Sequence, residues 1–122
     1  MKVKCIAISD DGPAELSPWL TPGEIYHVLS VESGLNGKVW FRILANEQSV
    51  GPESLGLHSA ENFEVITNFT PSNWRSRAIG GELESSPAVW QVDGFWRALY
   101  DGEENAALTF EREFNLMVRE EP

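Results

Sequence analysis

Two histidines, one cysteine and the alternating pair Glu82 and Glu84 are the residues of this chain whose types could do chemistry. His27 stands between Tyr26 and Val28 in a run that reads as a strand, where a hydrogen-bonded structural imidazole is expected. His58 has Ser54 and Ser59 close by, in a stretch (56–60) read as a loop. No strand–nucleophile–helix elbow surrounds either serine, so nucleophilic catalysis finds no frame there. Cys5 alternates with Val3 and Ala7, which predicts a buried, inert thiol. Glu82 and Glu84 project from one face of a predicted strand, about 7 Å apart along it. That separation suits paired-carboxylate hydrolysis, yet a chain of this length leaves little room for a deep sugar cleft. A stripe that binds lysine or arginine is the better reading.

Metal and phosphate chemistry fare no better. The two histidines lack ligand spacing, and no loop alternates oxygen ligands as a calcium-binding hand does. Asp101-Gly102-Glu103-Glu104 is acidic but is explained by a capping box, with Asp101 three residues before Glu104. Gly80-Gly81 lacks the lysine and the strand–loop–helix setting of a phosphate cradle. The expectation is a non-enzymatic protein with no cofactor and no metal.

The elements that must position these residues are short strands followed by helix. Lys2 to Ile8 alternates and is stopped by Asp10-Asp11-Gly12-Pro13, and a loop through Ser17-Pro18-Trp19 reaches the Pro22-Gly23 turn. The strand after it places Ile25, His27, Leu29 and Val31 on one face and Tyr26, Val28 and Ser30 on the other. Asn36-Gly37 favours a type I′ turn, so a hairpin joins this strand to Lys38–Leu44. There Val39, Phe41 and Ile43 oppose Trp40, Arg42 and Leu44. A brief strand is expected at Ser49–Gly51, and Phe63–Ile66 closes the set with Phe63 and Val65 inward. Thr67–Asn73 is a connector. Trp74–Ile79 and Glu82–Ser85 make a second hairpin about Gly80-Gly81.

Helix takes over at Ser86-Pro87, an N-cap followed by proline, and Ala88–Gln91 completes one turn. Asp93 is expected to cap a short helix carrying Phe95, Trp96 and Leu99. The last helix has Ala107, Phe110, Phe114, Met117 and Val118 at helical spacing, with Arg119 in its final turn. It should pack on the sheet.

Lys2 to Ile6, Leu20 to Val28 and Phe63 to Ile66 together resemble the SH3-like small barrels of short bacterial and phage proteins. The fold this implies is α+β: an SH3-like antiparallel barrel over residues 1–66, then a β-hairpin and a C-terminal helix over 67–122, in a single compact domain of 122 residues. Barrels of this kind bind peptides, nucleic acids and proteins alike. Ser72-Asn73-Trp74, Pro87-Ala88-Val89-Trp90 and Gly94-Phe95-Trp96 resemble the tails attached to such barrels in small bacterial proteins of uncharacterised or immunity type. Immunity proteins bind and block a toxin, often a basic nuclease.

Charge selects the partner. The net charge is −10, with 9 acids and 4 bases in residues 1–66 and 10 and 5 in residues 67–122. This repels nucleic acid and anionic lipid and accelerates encounter with a basic protein. A cytoplasmic location is expected, because no basic leader precedes an apolar run and no stretch approaches a membrane span. The binding surface is expected to comprise Glu82, Glu84, Asp101, Glu103 and Glu104, with Trp40 as apolar anchor. Protein binding is therefore the first reading, as an immunity-type inhibitor that masks a basic toxin. A phage-related or housekeeping adaptor holding a peptide or small ligand in the barrel groove is the second. The molecule is expected to be a monomer or small oligomer.

Overall fold

The structure, a computed structural model, describes residues 1–6, 20–34 and 36–122. The predicted end of the first strand at Ile8, its Asp10–Pro13 stop and the Ser17-Pro18-Trp19 loop lie outside the described residues. Among the described residues seven strands occur in order: β1 (Lys2–Cys5), β2 (Ile25–Ser33), β3 (Val39–Leu44), β4 (Leu55–Ser59), β5 (Phe63–Thr67), β6 (Trp74–Ile79) and β7 (Glu82–Pro87). A 3-10 turn at Ala88–Gln91 leads to α1 (Phe95–Tyr100) and α2 (Glu104–Glu120). The molecule is α+β, with an antiparallel sheet in the order β4-β3-β2-β1-β5; β7 also joins β2, and β6 joins β7. Among the described residues the sheet is not closed into a barrel. Among the described residues no helix is long and apolar enough to cross a membrane.

β2 is the strand on which the fold branches. Its first residues pair with β1, and its last lie between β3 and β7. It cannot keep one alternation along its whole length, and a bulge at Leu29 resets it: Val28 pairs with Ile43, but Ser30 already pairs with Arg42. Beyond the bulge Val31 therefore shares a face with Val28, not with His27 as simple alternation predicts. Val28, Leu29 and Ser30 are all buried in succession, which suits a strand covered on both sides.

One face carries Val3, Cys5, Tyr26, Val28, Phe41, Ile43 and Phe63, all buried, with the Phe41 and Phe63 rings 5.9 Å apart. The opposite face meets the helices. The Arg42 guanidinium lies 3.9 Å from the centre of the Trp96 ring, and Tyr100 Oη donates to the Leu55 carbonyl at 3.1 Å. α2 lays Ala106, Phe110, Phe114 and Met117 inward. Phe110 stacks on Trp90 at 4.9 Å, and Trp74 Nε1 donates to Met117 Sδ at 3.1 Å.

Several local expectations shift for definite reasons. The buried stripe runs through Ala106 and leaves Ala107 exposed. Val65 is 43% exposed, because β5 is an edge strand covered only at Phe63. The brief strand expected at Ser49–Gly51 is replaced by β4, on which His58 lies. The capping box does not form. Asp101 ends α1, and Gly102, at φ 80°, turns the chain so that Gly102 N–H bonds Leu99 O and Glu103 N–H bonds Ala98 O. These are the two bonds of a Schellman motif, which claims Asp101 for the helix before it. Neither Ser86 nor Asp93 supplies a side-chain cap; Pro87 and Gly94 stand at those positions.

Candidate functional site

The hairpin β6–β7 is the element that builds a site. Gly80 and Gly81, at φ 56° and 87°, make the tight turn, and β7 then docks on the far half of β2. Register brings Arg77, Glu84, Glu32, Trp40 and Ser59 into one row across five strands, so their side chains share a face. Glu82, two residues before Glu84, is opposite Ile79 on that face. Together Glu32, Trp40, Leu57, Ile79, Glu82 and Glu84 line a groove of about 290 Å³.

Its chemistry is mixed rather than acidic. Arg77 Nε bonds Glu84 Oε1 at 2.9 Å, and Arg42 Nη2 bonds Glu32 Oε2 at 3.0 Å. Lys38 Nζ lies 5.0 Å above the centre of the Trp40 ring. Glu82 has no ion pair among the described residues and is exposed. Ile79 and Leu57, 53% and 40% exposed, supply apolar wall. Surface of this kind, aromatic and aliphatic with a few placed charges, is what protein recognition uses. A larger hollow of about 430 Å³ between the β2–β3 turn and Ser59–Glu61 is lined by turn residues and contains no aromatic ring.

Of the six predicted binding residues, the structure brings Trp40, Glu82 and Glu84 together and leaves Asp101, Glu103 and Glu104 elsewhere. Those three sit at the junction of α1 and α2, where Glu103 lines a separate hollow with Val92, Phe95 and Arg112. Glu84 is half-buried and paired, so it is less free than a solvent-facing strand position implies. Glu32, Leu57 and Ile79 escaped the sequence reading. Ile79 was legible from the hairpin, which sets it opposite Glu82; Glu32 was not, because its place depends on the long-range pairing of β2 with β7.

The other reactive side chains are occupied structurally. His27 Nδ1 meets Glu47 Oε1 at 2.8 Å and Nε2 meets the Glu121 carbonyl at 2.6 Å, while the ring stands edge-on to Phe114. The bond to Glu47 holds its pKa above the ordinary value against the opposing effect of burial. Burial lowers the pKa of His58, which lies edge-on to Phe63. The Ser54 hydroxyl accepts from Asn46 N–H at 2.9 Å and the Ser59 hydroxyl from Glu61 N–H at 3.4 Å, so both are engaged with backbone. Cys5 is fully buried, which raises its thiol pKa. At the end of α2, burial acts to raise the Glu121 pKa, but hydrogen bonds from the Met1 amino group at 2.5 Å and from Thr67 outweigh it and hold the carboxyl low.

Comparison with protein-family models, curated proteins and solved structures gives no match.

Proposed function

We propose that this chain is a non-enzymatic protein-binding module that captures a basic protein on the groove between β3 and the β6–β7 hairpin, and that it is an inhibitor of immunity type masking a basic toxin. The observation that carries this reading is the meeting of Trp40, Glu82 and Glu84, from strands distant in sequence, in one groove with apolar walls. The net charge of −10 favours fast encounter with a cationic partner, and the exposed aromatic and aliphatic surface slows its release. The strand order β4-β3-β2-β1-β5, with a 3-10 turn at Ala60–Asn62 between β4 and β5, supports an SH3-like origin for the first half.

The test is pull-down with the intact chain, followed by binding kinetics of the recovered protein at two salt concentrations. Glu82→Lys is expected to slow association at low salt by roughly three- to tenfold while leaving the fold intact. Failure to recover a basic protein sinks the reading. One observation favours an adaptor that holds a peptide or small ligand instead: two of the groove's three carboxylates are already paired with arginines, so the groove itself is close to neutral. A large toxin gene immediately upstream supports the inhibitor, and neighbouring phage structural genes support the adaptor.

A further inference from the structure

Three of this protein's own cations ring the groove, and each is laid against something. Arg77 holds Glu84, Arg42 holds Glu32, and Lys38 rests over the Trp40 ring. Two features differ from the rest: Glu82 has no cation among the described residues, and Lys38 has a ring but no carboxylate. We propose that the groove seats a single arginine side chain from the partner protein, and that Lys38 is the resident cation this arginine displaces from Trp40. The proposal rests on the reading of the groove as protein-binding.

The molecule contains its own example of the arrangement. On the same face of the sheet, Arg42 lies 3.9 Å from the centre of the Trp96 ring while bonding the Glu32 carboxylate at 3.0 Å, so a tryptophan and a glutamate hold one guanidinium between them. Trp40 and Glu82 offer the same two groups without a guanidinium. From the register, Trp40 and Glu82 are two strands apart and two residues apart along the strand, about 12 Å between their Cα atoms. Their side chains stand on one face of the sheet and line the same groove, which leaves room between them for a long basic side chain. Leu57 and Ile79 flank it with apolar surface for the methylene stem.

Arginine fits better than lysine. Its flat, weakly hydrated guanidinium stacks on an indole and bonds a carboxylate with two parallel N–H groups, whereas an ammonium is a strongly hydrated point charge. Lys38 is exposed and holds the ring through a cation–π contact alone, the weaker of the two modes. An arriving arginine gains Glu82 as well as the ring. Lys38 therefore acts as a weak self-occupant that keeps Trp40 covered until a better cation comes.

The probe is acetyl-Gly-Leu-Arg-Gly-amide, compared with its citrulline counterpart, added to the isotope-labelled intact chain. The readout is the Trp40 indole N–H signal, identified by its loss in Trp40→Phe. The arginine peptide is expected to move that signal, and the citrulline peptide, which keeps shape and loses charge, to bind at least about fivefold more weakly. Glu82→Gln should weaken the arginine peptide by a similar factor. Lys38→Met should tighten it by about two- to fivefold, the worth of one exposed cation–π contact, while Arg119→Gln, which removes a charge on α2, should change it less. Equal binding of arginine and citrulline peptides, an unmoved Trp40 signal, or unchanged or weaker binding in Lys38→Met would overturn the proposal. A basic protein that binds the chain regardless of Lys38 and Glu82 would remove the arginine seat and leave the protein-binding reading standing. A peptide that binds as described while no basic protein is ever recovered would do the reverse.

Discussion

Trp90 and Trp40 are the same residue in opposite settings. Trp90 is 1% exposed, stacked on Phe110 and edge-on to Trp96, in a layer that joins the sheet to α2. Trp40 is only half-buried, on the same broad face of the sheet, and its ring is covered by a flexible lysine rather than by packed neighbours. Aromatic surface removed from water on all sides stabilises the fold, whereas aromatic surface left partly open stores binding free energy for a partner. Substitutions should therefore separate cleanly between the helix layer and the groove.

The largest effect is expected from Phe114→Ala. Phe114 is buried, stacked toward Phe110 and against the edge of His27. Its loss should cost about 3–5 kcal/mol in urea unfolding. A loss below about 1 kcal/mol would erase the contrast between the two regions, since α2 would then contribute little to the core.

His27 sharpens the contrast through pH. Both its ring nitrogens face acceptors, so the protonated ring, with two N–H donors, is the form this site favours. The groups facing it are Glu47, the Glu121 backbone carbonyl and, opposing protonation, Lys2. Because the folded pKa is raised above the ordinary value of 6.5, the stabilisation is fully present below that value and is lost as pH rises through the folded pKa. His27→Gln should lower stability by about 1–2 kcal/mol at pH 6 and by less at pH 9. Parallel stability–pH curves for the two proteins would show that His27 contributes no titrating stabilisation.

Smaller differences are expected within the groove. Glu84→Lys sets an ammonium against Arg77 and should cost about 1 kcal/mol, while Glu82→Lys, with no partner to lose, should stay within about 0.5 kcal/mol. Equal costs would mean the Arg77–Glu84 pair contributes nothing to folding. Trp40→Ala should fall below about 1 kcal/mol in unfolding. Its effect is expected in partner affinity, measured by binding kinetics.

Features set by neighbours in sequence were legible. The Gly80-Gly81 turn, the α2 stripe at Phe110, Phe114 and Met117, and the opposed faces of β3 all follow from local residue types and period. β4 was hidden because Gly56 breaks its pattern; a Cβ there would stand 3.0 Å from His58 Nε2, a tight contact to which the imidazole would have to yield. The bulge at Leu29 was hidden because it answers to three partner strands that only the folded chain assembles. The groove was half legible for the same cause. Trp40, Glu82 and Glu84 drew notice by type, but Glu32 joins them only once β7 finds β2, while the Arg77–Glu84 and Arg42–Glu32 pairs are set within the β6–β7 and β2–β3 hairpins, the second of which is shifted by the bulge.

The lone thiol has a practical consequence. Cys5 is wholly enclosed on β1, opposite Phe63, and it is the only cysteine in the chain. A thiol reagent can reach it only in molecules whose first strand has opened, so the labelling rate counts excursions out of the closed state. When reclosure outpaces modification, that rate gives the free energy of opening without denaturant. Followed in Phe114→Ala and in Trp40→Ala, one sulfur atom on the far side of the sheet would report whether disturbing the helix layer or the groove loosens a strand whose thiol faces neither of them.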